Sequence, residues 1–368
     1  MMRSFLETVP KAELHVHLRG AMPDSYFEQL LQKYPSYEVL DRAPAKHVEL
    51  FRRCEHLQPF FALSPASGPL AADLFRYRSF EEFLISFLFT SYFFREIGDL
   101  RGLTAVVRQD LERQKIVYAE ITVSIGEYVN QGLPLPGILA VLDEAATIGA
   151  VRIQWIVDLV RNFGPESTLR LLREIVALKP ASVVGITLGG SEHLYPPALF
   201  AETYALARDH GLRLTVHAGE ALGPESVWDA IRTLGVERIG HGVRSIEDTA
   251  LVEHLAEQGI PLEVCPTSNL RTEVYPSYQA HPVRSLYEAG VPVSINTDDP
   301  AFFGTTLAAE LQHMRDVGFS AEDLLELVRN GFRHAFLPPD EKRVYLDRVT
   351  RHWNEYRGES ASARGHVS

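Results

Sequence analysis

Apolar residues along this chain recur in two rhythms. Short β-branched or alternating runs occur at "ELHVHL" (13–18), "VYAEITVSI" (117–125), "RIQWIVDLV" (152–160), "SVVGITLGG" (182–190), "RLTVHAGE" (213–220), "RIGHGV" (238–243), "PLEVCPTSN" (261–269) and "VPVSINTDDP" (291–300). Residues two apart in such runs share a face, which is the spacing of a strand. Between the later runs lie stretches such as "GPESTLRLLREIVAL" and "SIEDTALVEHLAEQG", where apolar positions fall on one face of a helix. Strand and helix in regular succession imply parallel pairing through right-handed crossovers. Eight such units predict an α/β fold, a (β/α)8 TIM barrel, whose reactive residues collect at the carboxyl ends of the strands. A doubly wound open sheet is the rival, but no glycine-rich phosphate loop follows the first run.

The pattern departs from plain repetition in two places. The long gap after the first run predicts a helical insertion. Its stretch "YRSFEEFLISFLFTSYFFREIGDL" is dense in aromatics, which suits a wall over the barrel mouth or a helix buried on the flank. After Pro300 the chain reads as extra C-terminal helices, one opened by the "SAED" capping box and ended by the Pro338–Pro339 pair. Residues 1–357 contain no evident linker and read as one domain, and the polar tail 358–368 is expected to be disordered.

Composition removes several classes of function. The 368 residues are 46% hydrophobic and 23% charged, the balance of a soluble globular protein. A formal net charge of -12 argues against a nucleic-acid-binding surface while leaving room for a local basic pocket. Two cysteines, Cys54 and Cys265, make neither a disulfide framework nor a thiolate zinc site. No apolar run has the length to span a bilayer or the form of a signal peptide, so the expectation is a cytoplasmic protein without a membrane partner.

Candidate chemistry gathers at the ends of the runs. His15 and His17 project from the first strand together, although such a pair alone is more often hydrogen-bonded core. His217 and Glu220 end the fifth run, His241 sits in the "GHG" of the sixth, and Asp298 and Asp299 end the eighth. Adjacent buried aspartates repel unless a proton or cation lies between them. His15, His17, His217 and one aspartate offer three nitrogens and an oxygen, with room left for water. That set suits one catalytic Zn2+ per chain, or another divalent ion. A metal with an open position generates a nucleophile from water. His241 could orient that water or take its proton, and Glu220 is placed to exchange a proton with a substrate. Hydrolysis follows, without a choice between C–N and P–O bonds.

The segments "ELHVHLRGAM", "LTVHAGE", "RIGHGVRS", "CPTSN", "INTDDPAFFGTTL" and "NGFRHAFLPPDEK" closely resemble the adenosine deaminase family of zinc aminohydrolases, in that family's order, from about Lys11 to Tyr356. The resemblance implies His15, His17, His217 and Asp298 as zinc ligands. It implies that Glu220 protonates the purine N1, that His241 orients the nucleophile attacking C6, and that Asp299 hydrogen-bonds N7. It also implies that the backbone N–H of Gly190 meets N3, where a plain loop glycine is the competing reading. The implied reaction is hydrolytic deamination of a 6-aminopurine nucleoside, with ammonia released. A non-deaminating metal hydrolase of the same superfamily would be expected to hold two metals bridged by a carboxylated lysine, and no lysine lies near the end of the fourth run.

The chain departs from the resemblance at its sugar side. Relatives acting on adenosine carry aspartate at the position of Arg19 and those acting on adenine carry glutamate, and aspartate is also usual at the position of Thr187. Arginine cannot accept from a hydroxyl but grips carboxylate or phosphate by two bonds. The expectation is a substrate with an anion on its 5′ side, such as 6-amino-6-deoxyfutalosine, with AMP, adenosine and adenine as alternatives. Arg78 or Arg161 could share that anion. Alternatively Arg19 faces outward or pairs with an acid such as Asp24 or Glu192. Oligomeric state cannot be read from these patterns.

Overall fold

The structure is a computed structural model that describes residues 2–61 and 71–365, with side chains to residue 358. Eight parallel strands run in sequential order: β1 (Lys11–His17), β2 (Ile116–Val123), β3 (Arg152–Asp158), β4 (Val183–Thr187), β5 (Arg213–Ala218), β6 (Arg238–His241), β7 (Leu262–Val264) and β8 (Val293–Ile295). Helices occupy the crossovers, so the fold is the (β/α)8 barrel expected from the alternation of periods. The sheet closes where β8 returns to β1. Val16 bridges Asp298, His17 N–H donates to the Asp298 carbonyl at 2.8 Å, and Asp298 N–H donates to the His15 carbonyl at 3.0 Å. The Asn296 side chain adds an acceptor for Leu14 N–H at 2.8 Å.

Alternation along β1 decides what faces the barrel interior. Glu13 points inward and accepts from Thr297, and the imidazoles of His15 and His17 follow it toward the mouth. Leu14, Val16 and Leu18 are buried with the surrounding helices. No described helix is long and apolar enough to cross a membrane.

Several boundaries differ from the sequence reading, each for a local reason. β7 stops at Val264, and "CPTSN" forms the helix Pro266–Arg271 because proline is pre-set for a first helical position. β1 stops at His17, leaving Arg19 in the following turn. The helix Ala321–His334 begins at Ser320 with the expected capping box, Ser320 against Asp323. It ends at His334, before the proline pair, and Pro339 opens the next helix. That last helix runs from Pro339 to Gly365, and residues 366–368 of the tail lie outside the described residues. The aromatic insertion packs over the mouth: in the helix Phe80–Ser91, Phe83 meets Phe302 and Phe303 at 5.6 and 4.9 Å between ring centres.

Candidate active site

Four side chains from three strand ends converge on one point. Ligand-type atoms of His15, His17, His217 and Asp298 all lie within 4.8 Å of one another. Nε2 of His17 faces Nε2 of His217 at 3.2 Å, and Asp298 Oδ1 stands 3.2 Å from Nε2 of His17 and 3.4 Å from Nε2 of His15. The geometry fits a cation. Two imidazole nitrogens aimed at each other must share a proton or a cation, and the buried Nε2 of His15 has no hydrogen-bond partner among the described residues. Burial disfavours charge on His15, yet Asp298 and Glu263 draw a proton onto it and hold its pKa up at about 10. A metal would take the place of that proton.

Each of these side chains has a partner behind it. Nδ1 of His15 donates to Glu263 Oε2 at 2.9 Å, Nδ1 of His217 lies 3.2 Å from the Thr187 hydroxyl, and Ser268 Oγ donates to Asp298 Oδ2 at 2.6 Å. Such partners fix ring orientation and tautomer. Thr187 therefore stands behind a histidine of the cluster. Glu263 is in turn held by Arg238, whose Nε donates to it at 2.6 Å. The same guanidinium also donates to Glu120 and to the His334 carbonyl, and stacks 3.7 Å from the centre of the Phe336 ring. Phe336 N–H donates to Glu120 in its turn. The segment "NGFRHAFLPPDEK" thus ends in a buried ionic network that reaches His15. Burial opposes the charge of Glu263, but Arg238 and His15 keep its carboxyl below the usual range.

The remaining candidates line the same mouth. Glu220 Oε2 is 3.6 Å from Nε2 of His241, and burial together with the Asp298 charge pushes the Glu220 carboxyl up to about 8. Burial, aided by repulsion from His15 and His17 and opposed by Asp298, keeps His241 neutral, with its pKa down at about 3. Asp299 rises to about 7, through burial and then the Asp298 charge. Asp299 enters the site only because residue 20 is glycine: a Cβ there would sit 1.8 Å from its Oδ1. Gly240 does the same for His15, whose ring would lie 2.8 Å from an added Cβ. Gly190 is exposed, with φ +95°, beside Asn162. His241 and Asp298 both hold left-handed backbone, φ +60° and +64°, a conformation costing non-glycine residues roughly 1–2 kcal/mol.

Glu192, one of the acids offered by the sequence as an alternative partner of Arg19, instead accepts from the backbone N–H groups of Gly219, Ala221 and Leu222 and so shapes the turn that presents Glu220. Arg19 pairs instead with Glu127, through Nη1, and lies over the Phe87 ring at 4.1 Å. It is 4% exposed and borders a small cavity with His17, Ser124 and Tyr128. Its Nε and Nη2, the two donors of one guanidinium edge, have no partner among the described residues. Neither suggested helper joins it. Arg161 donates to the carbonyls of Leu188, Tyr195 and His217, and Arg78 is an exposed partner of Glu55 and Glu82.

Comparison with known proteins agrees with this geometry. The family model described as adenosine deaminase matches residues 65–352. The chain is 34% identical over 364 residues to an aminodeoxyfutalosine deaminase of Streptomyces avermitilis, covering 96% of this chain and 94% of that one. It is 33% identical over 342 residues to an adenine deaminase of Rhizobium meliloti, covering 90% and 96%. Its fold superposes on the crystal structure of an adenine deaminase from Arthrobacter aurescens with a TM-score of 0.81 at 26% identity, covering 95% of this chain and all of the other.

Proposed function

The chain belongs to the adenosine deaminase family of metal-dependent deaminating hydrolases, and on that premise we propose that it deaminates an adenosine-type nucleoside bearing a carboxylate on its 5′ side, such as 6-amino-6-deoxyfutalosine. The observation that carries this reading is the buried, unpartnered Nε/Nη2 edge of Arg19. Those two parallel N–H groups match a carboxylate bidentately, and Glu127 on Nη1 holds the fork in place. Phe87 beneath the guanidinium offers an apolar face to an aromatic acid.

His15, His17, His217 and Asp298 would hold the metal, which we assign as Zn2+ from the three-nitrogen, one-oxygen donor set. When bound, the metal supplies Lewis acidity and acidifies water. The protein's own groups do the rest. Glu220, protonated at neutral pH, gives its proton to purine N1 and makes C6 electrophilic. Asp299 in its protonated form donates to N7, and the Gly190 N–H to N3. His241 orients the water oxygen that bonds to C6; one proton of that water returns to Glu220 and the other passes to the amino nitrogen, so the C6–N bond breaks and ammonia departs.

A second reading, free adenine as substrate, is favoured by one observation: Glu127 neutralises Arg19. The two separate in kcat/KM measured with aminodeoxyfutalosine, adenosine, AMP and adenine, for wild type and Arg19→Gln. The carboxylated nucleoside should be preferred, and the substitution should cost it about 10–100-fold, one lost charge-assisted bidentate contact, while leaving adenosine nearly unchanged. Preference for adenine or adenosine, unaltered by the substitution, overturns the assignment.

A further inference from the structure

Behind His241 runs a chain of three hydrogen bonds, none of them used in the steps above. It begins at a donor whose direction is fixed, the backbone N–H of Val283, which meets Nδ1 of His281 at 3.1 Å. A ring nitrogen that accepts carries no proton, so neutral His281 holds its proton on Nε2. Burial keeps His281 neutral, with its pKa down at about 3. Nε2 of His281 lies 3.1 Å from Oδ1 of Asn269 and donates to it. With its oxygen so engaged, the Asn269 amide turns its NH2 toward His241, Nδ2 to Nδ1 at 3.3 Å. An amide NH2 only donates, so Nδ1 of His241 accepts and its proton sits on Nε2. That nitrogen faces the site, 3.6 Å from Glu220 Oε2 and 3.9 Å from Asp298 Oδ2.

We propose that Asn269, itself oriented by His281, is a positioning residue that locks His241 as its Nε2–H tautomer, so that His241 enters the reaction as a hydrogen-bond donor to the oxygen developing charge at C6 and not as a base. The role assigned to the donor rests on the deaminase reading; the tautomer does not, and the two fail separately. The chain also gives a purpose to two sequence features outside the reactive set, the asparagine of "CPTSN" and the histidine of "AHPV".

The test is the ring-nitrogen spectrum of the 15N-histidine-labelled, metal-loaded protein at neutral pH, with the His241 signals assigned by their loss in His241→Gln. Wild type should show Nε2 protonated and Nδ1 bare. In Asn269→Asp the carboxylate accepts from both rings, so His241 should switch to Nδ1–H. Its kcat should then fall by about 10²–10⁴-fold with KM within about threefold, the signature of a wrong tautomer with binding intact. His281→Gln, whose amide can accept from Val283 and donate to Asn269, should keep the wild-type tautomer. An Nδ1–H signal for His241 in the wild type overturns the proposal, even where Asn269→Asp fails to fold. So does an Asn269→Asp enzyme with wild-type kcat. A wild-type Nε2–H signal without deaminase turnover on any purine would overturn the functional reading alone.

Discussion

His15 and His241 have ring centres 4.9 Å apart at the same barrel mouth, and the protein prepares them in opposite ways. Nδ1 of His15 faces Glu263, an acceptor, so the proton sits on Nδ1 and the lone pair of Nε2 is turned into the site. Nδ1 of His241 faces an amide donor, so the lone pair points away and Nε2–H is turned in. An ionic network backs the first, Glu263 on Arg238 on Glu120, and a neutral one backs the second, Asn269 on His281 on a backbone amide. What an imidazole can do here is decided by the residue behind it. A carboxylate behind makes a ligand; an amide behind makes a donor.

The largest effect expected from this contrast is on Glu220. If neither imidazole moves the substrate's proton, Glu220 must, and Glu220→Gln should lower kcat by about 10²–10⁴-fold with metal content unchanged by elemental analysis. Near-wild-type turnover in that variant would return the proton to His241 and dissolve the contrast. Next is stability. Arg238→Met strands Glu263 and Glu120 as buried charges and should cost about 3–5 kcal/mol of unfolding free energy by urea titration, whereas Asn269→Ala, breaking the neutral chain, should cost about 1–3 kcal/mol. Equal losses would mean that the two backings do not differ in kind. The smallest effect is the most pointed. In Glu263→Gln, Arg238 holds the amide oxygen and the NH2 faces His15, which recreates the support of His241 and leaves Nε2 of His15 protonated. Zinc affinity, measured by chelator competition, should weaken about 10–100-fold. Unchanged affinity would show that the tautomer of His15 does not depend on its partner.

Much of this was legible along the chain. Period two against period 3.6 marked all eight strands, and the clustered residues lie at strand ends because a parallel barrel presents those ends together. The residues behind the site were not legible, because contact pairs distant in sequence leave no periodic trace. Glu263 is 248 positions from His15, and Glu127 is 108 from Arg19. Glu192 was visible as an acid that could pair with Arg19, but only the fold shows that backbone N–H groups consume it. Gly20 and Gly240 could have been noticed beside the reactive residues, as places where a side chain must be missing. The clash each avoids involves a different strand end.

One feature of the fold reaches beyond catalysis. Among the described residues one backbone bridge, Val16 with Asp298, joins β8 to β1 beside side-chain contacts, and the metal-type residues straddle that seam, His15 and His17 on one side and Asp298 on the other. Joining chain segments so far apart costs loop-closure entropy and slows folding. A cation held by His15, His17 and Asp298 would act as a clasp, and its binding free energy would add to the stability of the closed barrel. At a thousandfold excess over its dissociation constant that is about 4 kcal/mol. Metal supply would then govern how long the protein survives as well as how fast it works.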